Sequence, residues 1–513
     1  MTTLPAPRRP MSGYSDRRSA AMLVLGFSAG LPYSLVFSTL SFWLLEAGIE
    51  QKTITMFSWA ALGYSFKFIW APLADSLPLP WLGVRLGQRR SWLLAAQLAV
   101  AGAVLLMAAS DPSDPKTLYV MAAGSVLLGF SAATQDIVID AYRIEAAPDN
   151  PAMQSVLSSV YTAGYRIGML VSGAGSLYLA VWFGTDKGHY LYGAWRSTYQ
   201  IMAALMGIGV LATLLIREPQ AAAQRGGGRA DAVENLRLLT VFVLSAALFA
   251  AAFALLGGLL PKSASPLVSL LREAFRLAVA LAVAGSGAFA AVRAGLVPQD
   301  TVRRTWIEPL ADFFRRYGKR ALLLLALIGL YRTSDIVAGT ISNVFYANSG
   351  FGKEQIATAV KLFGVAMTLG GGLLGGLLAQ RFSLAKMMML GAAASAATNL
   401  LFVVLARHAG SVPLLYLAVS IDNLAAGLAQ TVLVAFLSSL TNIRFTAVQY
   451  ALFSSLMTLL PKTLGGYSGA IADQIGYESF FTFTALLGLP VLLLVHLCGT
   501  ILAQGQPENR QNG

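Results

Sequence analysis

Asp136 and Asp140, in the stretch SAATQDIVIDAYRIE (131–145), stand four residues apart and share one face of a helix, with Arg143 one turn on. Their surroundings are apolar. Carboxylates this close repel, and each is costly to keep charged away from water, so the pair suits uptake and release of a proton. Other ionisable side chains sit in equally apolar stretches. Arg166 is one, and Arg332 and Asp335 in YRTSDIVAGTISNVFY (331–346) share a face. Lys361, Asp422 beside Asn423, and Lys462 after Pro461 complete the set. Cations so placed can take up carboxylates by charge-assisted hydrogen bonds. Gln135 and Asn423 offer donors and acceptors for hydroxyls and amides, and Asp335 and Asp422 are further candidate proton carriers. Two structural uses compete with these: an Asp136–Arg166 ion pair that pins two helices, and self-neutralisation of Arg332 by Asp335. Lys67, nearer a helix end, is read as snorkelling toward headgroups.

The elements that must position these residues are long and apolar. Of the 513 residues, 56% are hydrophobic and 12% charged, which a soluble fold of this length could not bury, so a polytopic membrane protein is implied. Windows long enough to span a bilayer, about 20 residues each, fall near 20–45, 53–73, 91–110, 117–140, 153–181 and 195–216. A second set falls near 319–346, 354–379, 385–406, 412–439, 446–473 and 478–502, and two more lie between, near 236–259 and 266–294. The first is too long for a signal-peptide core and is read as an uncleaved helix. Cys498 is the one cysteine, and His189, His408 and His496 are scattered, so no metal or other cofactor is expected.

The net charge of +13 lies mostly in alternate loops. The segment 293–320 alone holds Arg293, Arg303, Arg304, Arg315, Arg316, Lys319 and Arg320. That bias predicts both termini on the cytoplasmic side, and it assigns the basic charge to topology and anionic lipid, not to nucleic acid.

The two sets of six resemble each other. RIGMLVSGA (166–174) matches KTLGGYSGA (462–470), and QSVLSS (154–159) echoes QYALFSS (449–455). Two six-helix halves in parallel orientation form the major facilitator plan, an all-α membrane fold with its binding site between the halves. The expected organisation is a six-helix bundle over 1–218, a linker with two inserted helices over 219–318, and a second bundle over 319–513, fourteen spans in all. Counting the two sets and leaving out the inserted pair, the cavity-lining helices would be the first, fourth, seventh and tenth, flanked by the second, fifth, eighth and eleventh. The mid-membrane charges fall on those eight. The other four carry charge only near their ends, at Arg196, Lys386 and Glu478.

The loop APLADSLPLPWLGVRLGQRRSW (71–92) is similar to the signature that major facilitators carry after their second helix, though with a longer spacing between Asp75 and Arg89. Asp75, Arg89 and Arg90 are accordingly read as a gating latch. Further segments resemble one branch, the AmpG-type permeases for anhydro-muropeptides: GFSAGLPYSLVFSTLSFWL (26–44), KFIWAPLAD (67–75), SAATQDIVIDAYRIE, GYRIGMLVSGAGSLYLA (164–180), VAFLSSLTNIRFTAVQYALFSSL (434–456) and the Pro461–Lys462 pair. The resemblance covers both halves and not the inserted pair. It implies a permease, not an enzyme, in the inner membrane of a Gram-negative bacterium. Such a permease imports N-acetylglucosaminyl-anhydro-muramyl peptides with protons, and the import contributes to induction of β-lactam resistance. On that resemblance Arg166, Arg332 and Lys462 would meet carboxylates, Gln135 and Asn423 the sugar or peptide groups, and one of Asp136, Asp140, Asp335 and Asp422 the coupling proton. A monomer is expected. Two alternatives stay open: a permease of the same branch for another bulky anion such as acetyl-coenzyme A, and an integral-membrane enzyme acting on lipid-linked sugars. Against the enzyme, no span end carries a catalytic carboxylate pair, a metal triad or a large soluble domain.

Overall fold

The computed structural model describes residues 13–504, except 51–52, 55–56, 58–63, 65, 80–81, 149, 186–188, 221–231, 261–265 and 466. Every helix or strand assigned among these residues is a helix, as expected where a backbone in lipid must satisfy its own polar groups. Twelve of the described helices are long and apolar enough to cross a membrane. The expected fifth span is a continuous helical run, Pro151–Leu170 continuing through Val171–Gly175 to Ser176–Trp182, that falls below that apolarity. Nine residues of the expected second span, 53–73, lie outside the described residues.

Local sequence sets the helix ends. Asp114 caps the fourth helix, Pro115–Glu145, by accepting from the Lys116 amide, with Pro115 at the first helical position, where its missing N–H costs nothing. Asn150 caps the fifth in the same way, accepting from the Met153 amide. Gly476, at φ 78°, turns the chain between the eleventh helix and the twelfth, a conformation that glycine adopts without a Cβ clash.

Small residues set the spacing of the cavity helices. A Cβ at Gly30 would run into the Tyr165 carbonyl, and one at Gly168 into the Phe27 carbonyl, so the first and fifth helices meet backbone to backbone. Gly371 and Gly427 do the same between the eighth helix and the tenth. Without a hydrophobic drive between helices in lipid, such close packing supplies the attraction. The buried cores divide along the chain: two clusters are drawn mainly from the first half and two mainly from the second, with Ala447 and Ala451 crossing into the first and Ile144 into the second.

The inserted helices, Ala232–Leu259 and Pro266–Arg293, pack on each other. They meet the first-half core through Leu238, Val241, Phe242, Ala288 and Ala291. Arg276 lies over the Phe253 ring at 4.1 Å and donates to the Phe253 carbonyl at 2.7 Å, so this cation is used between the two inserted helices. The basic segment after them forms a short amphipathic helix, Glu308–Tyr317. It marks one end of the bundle, the connector end.

Candidate functional site

Asp136 and Asp140 lie together on the fourth helix, both nearly buried. The cation over them is Lys67, from the turn Lys67–Ile69: its Nζ is 3.8 Å from Asp140. Arg143 approaches Asp140 from the other side at 3.4 Å. Tyr161 of the fifth helix lies beside Asp136, whose Oδ1 oxygen has no hydrogen-bond partner among the described residues. Lys67 therefore does not snorkel. It is 7% exposed, and it takes the place expected for Arg166 as counter-ion of the pair.

Arg166 makes no hydrogen bond or ion pair among the described residues. It lies two turns from Ser159, whose hydroxyl donates to the Gly372 carbonyl of the second half at 2.9 Å, so it faces that half. Across the gap stands Arg332, close enough to repel it. Arg332 is itself neutralised. It donates to Asp335 from Nε at 2.6 Å and to the side-chain amide oxygen of Gln430, and the Asp335 pairing matches the self-neutralisation considered from the sequence. Asp422 accepts from Thr398 at 2.9 Å. Asn423 accepts from Thr368 at 3.0 Å and donates to the Val419 carbonyl at 2.8 Å, tying the eighth helix to the tenth. Lys462 is exposed. It lies eleven residues, three turns, beyond Ala451 on the face that packs against the first half. The side chain of Lys361 lies outside the described residues.

Gln135 is set apart from these groups. Fully buried, it donates to Ser28 of the first helix at 2.7 Å, and Gln97 and Thr213 continue that network toward the third and sixth helices. Its geometry is that of helix packing.

Beside Arg166 lies a feature with no counterpart in the sequence reading. The rings of Tyr33 and Phe37 (first helix), Tyr64 (second) and Tyr165 (fifth) cluster with centroids 4.8–6.5 Å apart. Tyr161 adjoins Tyr165 at 6.1 Å. The i, i+4 spacings Tyr33/Phe37 and Tyr161/Tyr165 are the signal that could have found it.

At the connector end the halves are bonded together. Asp75 pairs with Arg89 at 2.5 Å, and its other oxygen accepts from the Val448 amide at 3.0 Å, at the start of the eleventh helix. Such an anion at a helix N-terminus meets unpaired amides and the positive end of the dipole. Arg89 is fully buried and also holds Glu145 at 2.6 Å. Arg90 takes another part, donating to the Thr213 and Leu214 carbonyls that end the sixth helix. Glu218 accepts from the Arg89 and Arg90 amides, and burial pushes its carboxyl above the usual range against the pull of those amides. Arg143 donates to Ser438 of the tenth helix at 2.8 Å and lies over the Tyr450 ring. The connector joins both sides: Trp306 donates to the Ile69 carbonyl at 3.0 Å, while Arg316 donates to the Leu440 carbonyl and to Gln449.

The arrangement can hold a proton on a buried acidic pair, meet an anion with an unpaired arginine between two halves, and open or close at the bonded end. The model for the Major Facilitator Superfamily matches residues 22–352. The chain is 30% identical to the anhydromuropeptide permease of Escherichia coli K12 over 94% of this chain and 80% of that one. It is 29% identical to the transporter AmpG 4 of Rickettsia conorii over 95% and 98%. The structure of the proton:xylose symporter XylE superposes with a TM-score of 0.59 at 13% identity, covering 94% of each chain, a likeness of fold.

Proposed function

From a chain that belongs to the AmpG-type permeases of the major facilitator superfamily, we propose proton-driven import of anhydro-muropeptides by alternating access, with no enzymatic step. The substrate class rests on the permease relatives. The proton drive rests on one observation: Lys67, counter-ion of the acidic pair, sits on the same short stretch as the Asp75 latch.

The positive-inside bias puts the connector end, and both termini, in the cytoplasm of a Gram-negative cell, so the bonded end is the inner gate. With that gate closed, cargo enters from the periplasm and a carboxylate of its peptide meets Arg166, with Lys462 on the opposite half. A proton taken by Asp136 or Asp140 removes the charge that holds Lys67. Releasing Lys67 loosens residues 67–75, which carry the Ile69 bond to the connector and the Asp75 bond to the eleventh helix. The inner gate then opens, the cargo leaves, and loss of the proton to the cytoplasm recaptures Lys67. Arg332, Asp335, Asp422 and Asn423 shape the second-half wall.

Proteoliposomes tested with labelled anhydro-muropeptide are expected to accumulate it intact when the outside is acid and to lose that accumulation with a protonophore. Uptake indifferent to the gradient would refute the coupling, and a change in the mass of the cargo would favour the enzyme reading.

A further inference from the structure

The four clustered rings come from three separate helices of the first half, and each is partly exposed inside a bundle whose core side chains are fully buried. They adjoin Arg166, whose charge reaches Tyr33 and Tyr165. Lipid contact does not explain them, because the first and fifth helices are the pair locked backbone to backbone and Arg166 beside them faces the second half. An aromatic surface of mutually tilted rings bearing hydroxyls, with an uncompensated cation at its rim, has a definite chemical complement. That complement is a ring with apolar C–H faces and polar edges, carrying an anionic arm.

We propose that Tyr33, Phe37, Tyr64 and Tyr165 form a stacking platform for the sugar rings of the cargo, with Arg166 binding a carboxylate of the peptide attached to them. The proposal deepens the transporter reading and rests on it. Aromatic faces favour offset contact with another ring face, and a deleted ring costs about 2- to 10-fold in affinity by the usual scale of such contacts. The platform also reaches the proton site: Tyr165 packs against Tyr161, and Tyr161 lies beside Asp136. A ligand seated on the rings therefore touches the group next to the proton carrier.

The test is equilibrium dialysis of labelled anhydro-muropeptide against the purified full-length protein, with leucine and phenylalanine variants at two positions. Tyr33→Leu and Tyr165→Leu are expected to weaken binding about 2- to 10-fold each, while Tyr33→Phe and Tyr165→Phe, which keep the ring, stay within about 2-fold of wild type. The sugar-free peptide, used as a second probe, should respond to Arg166→Gln and not to the leucine variants. Monodisperse leucine variants with unchanged muropeptide affinity would overturn the platform, as would equal weakening by leucine and phenylalanine. Absence of muropeptide binding by the wild type would instead overturn the transporter reading.

Discussion

The Asp75–Val448 contact gives the sharpest prediction, because it joins the halves at one end of the bundle and is made through a single oxygen. Asp75→Ala removes a charged acceptor from a helix N-terminus. Hydrogen bonds to charged groups contribute about 1.5–3 kcal/mol, and in the proposed cycle the contact exists only while the inner gate is closed, so its loss is expected to shift the equilibrium toward the open gate by that amount. That corresponds to roughly 10- to 150-fold in the ratio of closed to open molecules. Arg89 loses a partner too but keeps Glu145 at 2.6 Å, so the buried guanidinium is not stranded. Asp75→Asn can still accept from the amide and lacks the charge, so its shift should fall between wild type and alanine. Spin labels at Pro148→Cys and Ser439→Cys, in a Cys498→Ser background, read the separation of the two halves at that end. The expected result is a new long-distance population that grows from wild type to asparagine to alanine. An unchanged distance distribution in Asp75→Ala would refute the latch.

Four further outcomes follow from the same reading. Asp136→Asn should keep downhill exchange of muropeptide and lose gradient-driven accumulation; counterflow and uptake measured on one preparation separate the two, and retained accumulation would clear Asp136 of coupling. Arg166→Gln and Lys462→Gln should each weaken muropeptide binding about 10-fold or more, the worth of one charge-assisted hydrogen bond, whereas an unchanged dissociation constant would assign them to structure. Single cysteines placed between 296 and 318 should label only from the cytoplasm, as fourteen spans with both termini inside require, and periplasmic labelling would sink that topology. Deleting the inserted pair should leave muropeptide affinity intact in a membrane-inserted variant.

The membrane class, the two-half plan and the helices that carry charge were legible because they depend on span length and on the pattern of charge along one chain. Pairing was less so. Lys67 stands near the end of its expected span, and depth alone suggests snorkelling; its partner, Asp140, is fixed by the register of two helices that sequence does not align. Gln135 lies one residue from Asp136, but on a face turned to Ser28. The bond between the halves from Arg143 to Ser438 and the connector's bond from Trp306 to Ile69 join residues far apart in the chain. The Tyr33/Phe37 spacing was readable, yet only the tertiary fold shows that Tyr64 and Tyr165 complete the cluster.

The connector has a kinetic consequence. Its helix is bonded to the second half through Pro309, Asp312 and Arg316, while Trp306, three residues before Pro309, holds the first half at Ile69. When the gate opens and Trp306 lets go, the indole remains tethered a short distance from its acceptor. A short tether holds such a partner at an effective concentration on the order of millimolar, so reclosure does not wait on a diffusional search. An emptied carrier would thus return quickly to the state that faces the periplasm. Lengthening the chain between Trp306 and Pro309 should slow the cycle of empty carriers without touching the affinity for cargo.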